Sequence, residues 1–128
     1  MAELAEASAA FCASLRLAHA GDAAAMPGVE QAAAVAFADE PAIDATRTRS
    51  EADYTRLIRK GHSLVAHVGE TMAGFLVAEP FRRDLHIWEM DVAPAFQRRG
   101  IGAGLVRAAQ IDARNTGFKA LTLTTFRD

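Results

Sequence analysis

The stretch Val92-Ala93-Pro94-Ala95-Phe96-Gln97-Arg98-Arg99-Gly100-Ile101-Gly102-Ala103-Gly104-Leu105 decides how this chain folds. The apolar run from Leu85 to Val92 reads as a strand, Pro94 ends it, and a helix opens straight after a loop of arginine and glycine. That order builds an anion site. The first turn of a helix has unpaired N–H groups, and its dipole adds partial positive charge. Gly100 and Gly102 let a ligand oxygen approach the backbone with no Cβ in the way, and Arg98 and Arg99 add full charges nearby. The reading is a phosphate or pyrophosphate cradle at a strand-to-helix junction.

Two phosphate motifs fail against it. The P-loop needs a Gly-Lys-Ser/Thr ending, and no such lysine follows. The dinucleotide fingerprint needs G-x-G-x-x-G, whereas Gly100, Gly102 and Gly104 give G-x-G-x-G, with no acidic residue where Leu121 to Thr125 sit. What remains is Gln-x-x-Gly-x-Gly after a strand ending in Val-x-Pro: Glu89-Met90-Asp91-Val92-Ala93-Pro94, then Gln97-Arg98-Arg99-Gly100-Ile101-Gly102. This resembles motif A of the GNAT superfamily, the acetyl-CoA-dependent N-acetyltransferases.

Composition sets the outer limits. At 128 residues and 13.7 kDa the chain is long enough for one domain with a real core. The formal net charge is −2 and the pI about 6.1, so bulk charge gives no argument for nucleic acid or an anionic membrane. Positive charge is local, at Arg82-Arg83 and Arg98-Arg99. The single cysteine, Cys12, rules out an internal disulfide and suits a reducing compartment. The N-terminus, Met-Ala-Glu-Leu-Ala-Glu, has neither the basic start nor the long apolar core of a signal peptide. The expected location is the cytoplasm, with no membrane contact. His19, His62 and His67 are scattered without metal-ligand spacing, so no metal is expected.

Taken in order, residues 1–12 read as an alanine-rich tail or short helix. Ser14 to His19 alternates as a first strand. Asp22 reads as the N-cap of a helix reaching about Phe37, with Pro27 near its start. The stretch Ala38 to Arg49 is a loop, and Ser50-Glu51-Ala52-Asp53 caps a second helix that Gly61 stops. Ser63 to Val68 and Thr71 to Ala78 are strands joined by Gly69-Glu70, a type II′ hairpin loop. Pro80, Arg82, Arg83 and Asp84 form the next turn. In the helix after the glycine loop, Ile101, Leu105, Ala108 and Ile111 form the buried face, and Asn115-Thr116-Gly117 is its C-terminal stop. Lys119 to Phe126 is a fifth strand.

The fold class is therefore α/β with a mixed sheet, in the order β-α-α-β-β-β-α-β over one domain, residues 1–128. Its sheet is mostly antiparallel with a parallel pair at the end. This is the GNAT order as far as it goes. The resemblance implies a further helix and two more strands, so the domain is expected to be incomplete at its C-terminus. An exposed fifth strand needs cover, from a segment beyond Asp128 or from a second copy in a homodimer.

The resemblance also implies chemistry. Acetyl-CoA would be the co-substrate, its diphosphate on the backbone of Gln97, Arg98, Arg99, Gly100, Ile101, Gly102 and Ala103. The pantetheine arm would pair with Met90, Asp91 and Val92, where the fourth and fifth strands splay apart. A backbone N–H near Met90 would serve as oxyanion hole. The acceptor amine must lose a proton before attack, which calls for a carboxylate or histidine. By simple alternation His86, Trp88 and Met90 share one face of the strand and Ile87, Glu89 and Asp91 the other, subject to a bulge. Glu89 is preferred as base over His86. No general acid is assigned, because Tyr54, the only tyrosine, lies in the second helical segment. The function so read is N-acetyl transfer to an unidentified amine. A non-catalytic acyl-CoA sensor is the competing reading. Nucleic-acid binding through the arginine pairs is disfavoured by the acidic pI and the scarcity of Trp and Tyr.

Overall fold

Met72 to Ala78 is a continuous apolar run, and such a run is buried on both faces when it becomes a strand. It forms the middle of β3 (Thr71–Phe81), the third of five strands in one sheet of order β1-β2-β3-β4-β5. The structure, a computed structural model, describes residues 13–35 and 48–123. The expected tail (residues 1–12), the Ala38 to Arg49 loop up to residue 47, and the end of the fifth strand (residues 124–128) lie outside the described residues. The other strands are β1 (Ser14–Leu17), β2 (Leu64–Val68), β4 (Asp84–Val92) and β5 (Ala120–Leu123). Neighbours pair antiparallel except β4 and β5, which are parallel. The element order and the parallel last pair are as the sequence implies.

Helices cover both faces. Helix α3 (Ile101–Asn115) lies on one, with Ile101, Leu105, Ala109 and Ala113 buried against Leu64, Leu76, Leu85 and Ile87. The expected stripe is corrected at Ile111, which is 52% exposed. At about 100° per residue, position 111 falls about 120° from the middle of the face formed by 101, 105 and 109. The helix stops in a Schellman turn: Gly117 has φ +86, and the Phe118 N–H donates to the Ala113 carbonyl at 2.9 Å. On the opposite face, α1 (Met26–Val35) and α2 (Glu51–Ile58) pack Met26, Val29, Tyr54 and Leu57 against Val65, Phe75 and Val77.

The start of α1 differs from expectation. Residues Ala20–Ala25 form a 3-10 turn, and Asp22 sits in its third position rather than capping the α-helix. Its carboxylate accepts from the His19 N–H and, through both oxygens, from the Arg16 guanidinium, each at 2.8 Å. That forked pair ties the helical layer to the first strand. Helix α2 begins as its sequence asks: Ser50 Oγ accepts from the Asp53 N–H and the Asp53 carboxylate accepts from the Ser50 N–H. Strand β3 runs on through Pro80 to Phe81, beyond its expected end. Pro80 is tolerated there because β2 stops opposite Leu76 and makes no demand on an N–H at 80.

Candidate functional site

The second half of β4 carries the site, because the strand changes register there just before the glycine loop. Val77 stands opposite Glu89 while Ala78 stands opposite Ile87, so Trp88 is an extra residue, a β-bulge. This corrects the simple alternation. Leu85 and Ile87, then Met90 and Val92, face α3; His86, then Glu89 and Asp91, face α1 and α2. Strand β5 pairs with β4 from Asp84 to Ile87, and the described part of β5 ends at Leu123, opposite Ile87.

On the α3 face, Gln97 Nε2 donates to the Val92 carbonyl at 3.0 Å and pins the loop to the strand end. Arg98 and Gly100 then take positive φ, +65 and +79, a backbone form that glycine adopts freely and arginine rarely does. Gly100 is the residue before α3 and offers no side-chain cap. The first intrahelical bond runs from the Gly104 N–H to the Gly100 carbonyl at 2.9 Å. Among the described residues the N–H groups of Ile101, Gly102 and Ala103 have no backbone acceptor. They open beside a cleft of about 940 Å³ lined by Met90, Gly102, Ala103, Val106, Arg107, Gln110, Ile111 and Arg114. A Cβ on Gly100 would meet nothing within 4 Å, and one on Gly102 would touch Met90 Cε at 3.5 Å. The small residues thus border open space. Arg98 and Arg99 are exposed, the latter with its guanidinium over the Phe96 ring. The expected cradle residues and Met90 and Val92 are brought together; the Asp91 side chain is on the other face.

That other face holds a polar cluster. The Tyr54 hydroxyl donates to Glu30 Oε1 and lies 3.3 Å from Glu89 Oε2. The Arg49 guanidinium donates to Glu89 Oε1, and its backbone N–H donates to Glu30 Oε1 at 2.9 Å. Tyr54 is fully buried and Glu30 is 8% exposed. Burial and the Glu30 carboxylate push the Tyr54 hydroxyl far above its ordinary pKa, so it remains a donor. Asp91 stands beside this cluster with its Oδ2 shut off from solvent and without a hydrogen-bond partner among the described residues. Burial first, then the negative charge of Glu30, raise its pKa to about 7, against the pull of Arg49.

The two base candidates from the sequence are both engaged. Glu89 is clamped as above. His86 Nδ1 is 2.7 Å from Thr122 Oγ1 on β5, and its ring meets Trp88 edge-on at 4.5 Å between centroids. Trp88 in turn donates to Glu79 at 2.8 Å. Sequence reasoning missed Glu30, Arg49 and Tyr54 as members of the site. One signal was present: Glu30 is a lone acid in the apolar stripe Met26, Val29, Ala33. Among the described residues no group of His, Cys, Asp and Glu is arranged to hold a metal ion, and no helix is long and apolar enough to cross a membrane.

The profile of the acetyltransferase (GNAT) family matches residues 29–128. The chain is similar in structure to the PaiA N-acetyltransferase of Thermoplasma acidophilum in complex with coenzyme A, with a TM-score of 0.77 at 14% identity over 91% of this chain and 81% of that one. It is also similar to a GNAT family acetyltransferase of Brucella melitensis in complex with acetyl-CoA (TM-score 0.71, 21% identity, 91% and 78% covered). A third likeness is to the ribosomal-protein-S18-alanine N-acetyltransferase of Escherichia coli (TM-score 0.69, 18% identity, 88% and 66% covered).

Proposed function

The chain belongs to the GNAT acetyltransferase family, and from that premise we propose that it transfers an acetyl group from acetyl-CoA to an amine by direct attack. The observation that carries the reading is the uncapped start of α3, whose first N–H groups open beside the cleft that Met90 lines. The residues present fit the coenzyme. Three N–H groups, a left-handed Gly100 and nearby arginines suit a diphosphate, and no protein atom fills the space a Cβ would take at Gly100.

When bound, coenzyme A supplies the acetyl group as a thioester, a carbonyl already reactive toward amines. The protein's part is binding, orientation and proton removal. Ile101, Gly102 and Ala103 hold the diphosphate through their N–H groups, with Arg98 and Arg99 at the loop. Backbone of Met90 to Val92 takes the pantetheine arm as an added strand. An N–H at Met90 stabilises the carbonyl oxygen as negative charge develops on it. The acceptor enters from the α1–α2 face, where Glu30, Glu89 and Asp91 outnumber Arg49 and favour a cation.

A sensor that binds acyl-CoA without turnover draws support from one observation: Glu89 and His86 are both occupied by protein partners. Isothermal titration with acetyl-CoA, followed by a thiol-release assay across primary amines, separates the two. Binding with amine-dependent thiol release supports the transferase, and binding without release with any amine favours the sensor.

A further inference from the structure

Glu30, Glu89 and Asp91 meet on the α1–α2 face of β4, and their surroundings divide the labour among them. Glu30 on α1 accepts from the Tyr54 hydroxyl and from the Arg49 N–H. Glu89 accepts from the Arg49 guanidinium, with the Tyr54 hydroxyl at 3.3 Å. Asp91 is the one of the three whose carboxylate oxygen lies buried with no donor among the described residues. A buried polar atom left in that condition is costly, and a catalytic role is one reason for a fold to keep it.

Placement agrees. Asp91 follows Met90, whose side chain lines the α3-side cleft, so the Asp91 side chain points to the opposite face, toward Glu30 and Arg49. Its cross-strand neighbour on β3 is Phe75, which brings an apolar wall and no charge. The charged and titratable groups facing it are Glu30 from α1, Arg49 from the segment before α2, Tyr54 from α2 and Glu89 from its own strand.

Resting on the transferase reading above, we infer that Asp91 receives the acceptor's ammonium group and takes its proton, while Glu89 is a positioning residue that holds Arg49 and Tyr54. On rotation of the Asp91 side chain toward an arriving ammonium, the carboxylate gains the donor that the buried Oδ2 lacks, and the ammonium's charge favours the ionised form. The ammonium gives one proton to Asp91, directly or through one water. The freed nitrogen forms a bond to the acetyl carbon as the carbon–sulfur bond breaks and sulfur leaves with the electron pair. The nitrogen's second proton goes to that thiolate, and Asp91 returns its own to solvent. Burial beside Glu30 keeps the Asp91 carboxyl titrating near neutrality, where a base works best.

Asp91→Asn and Glu89→Gln test the assignment together, with propylamine, 1,3-diaminopropane and a lysine-containing peptide as acceptors. For Asp91→Asn, kcat is expected to fall about 100-fold or more, with acetyl-CoA affinity within about threefold. The acid limb of its kcat/KM profile is expected to vanish. Glu89→Gln is expected to raise KM and keep that limb. A second reading needs no turnover: in the wild type, ¹³C NMR of labelled aspartate should show propylammonium lowering the Asp91 midpoint. An Asp91→Asn protein that keeps kcat and the acid limb overturns the proposal, as does a limb lost only in Glu89→Gln or an Asp91 midpoint the amine leaves unmoved. A wild type that binds acetyl-CoA but releases no thiol with any acceptor overturns the transferase reading, and this assignment falls with it.

Discussion

Gly74 on β3 faces the main chain of Asp91 so closely that a Cβ at position 74 would lie 2.8 Å from the Asp91 carbonyl oxygen and 3.3 Å from Val92 Cα. Backbone cannot yield there as the end of a flexible side chain could. Gly74→Ala must therefore push β3 and β4 apart at the residues proposed to take the pantetheine arm. Stability is expected to fall by about 1–3 kcal/mol, read from denaturant unfolding, and acetyl-CoA affinity to fall with it.

Gly102 gives the opposite stability result. Its Cβ would meet Met90 Cε at 3.5 Å and Val92 Cγ2 at 3.8 Å, ordinary contact distances. Alanine is a better helix former than glycine by up to about 1 kcal/mol. Gly102→Ala should thus melt at or above the wild-type temperature while losing about tenfold in acetyl-CoA affinity, since the methyl sits at the mouth of the amide cradle. Stability and binding moving in opposite directions would mark this glycine as kept for a ligand's approach.

Gly100→Glu places a carboxylate where an anion is proposed to bind. Its φ of +79 costs a non-glycine residue about 1–2 kcal/mol, yet the surrounding space is open, so the protein should still fold. Calorimetric binding of acetyl-CoA should be lost. Gly100→Ala bears the same backbone strain without the charge and should keep part of the affinity.

The contrast among these glycines explains what could be read in advance. The cradle was legible because it is local: Gln97 to Gly102 are contiguous, and a turn with positive φ leaves its mark as glycine. Arg98 and Arg82 reach positive φ without that mark. The polar cluster is not local. Arg49 reaches Glu89 and Tyr54 reaches Glu30 across three separate elements, and no periodicity links such positions. The bulge at Trp88 was likewise silent, since no glycine announces it, and it alone decides that His86 shares a face with Glu89 and Asp91.

Asp22 provides an acid-sensitivity test away from the site. The Arg16 guanidinium, then the His19 N–H, hold its carboxyl below the usual carboxylate range. A lowered folded pKa means stability that is present above the unfolded value, near 3.9, and lost as pH falls through the folded one. Asp22→Asn keeps the shape and removes the charge. It should cost about 1.5–3 kcal/mol at pH 7 and less near pH 2, below the unfolded value, where the wild type gives up stability from the same interaction. Urea melts at both pH values measure the difference.

Asp91 should show the reverse slope. Its folded pKa is raised to about 7, chiefly by burial and then by Glu30. Between the unfolded value near 3.9 and the folded one, the native protein holds a proton that the unfolded chain has released, so stability declines as pH rises across that window. The amide of an Asp91→Asn variant carries no charge to bury. Each unit of displacement is worth about 1.4 kcal/mol, reduced here because part of the residue stays solvated. The variant should therefore gain about 2 kcal/mol on the wild type between pH 5 and pH 8. If urea melts show the gap between them unchanged over that range, Asp91 is not a carboxyl that burial holds back from ionising.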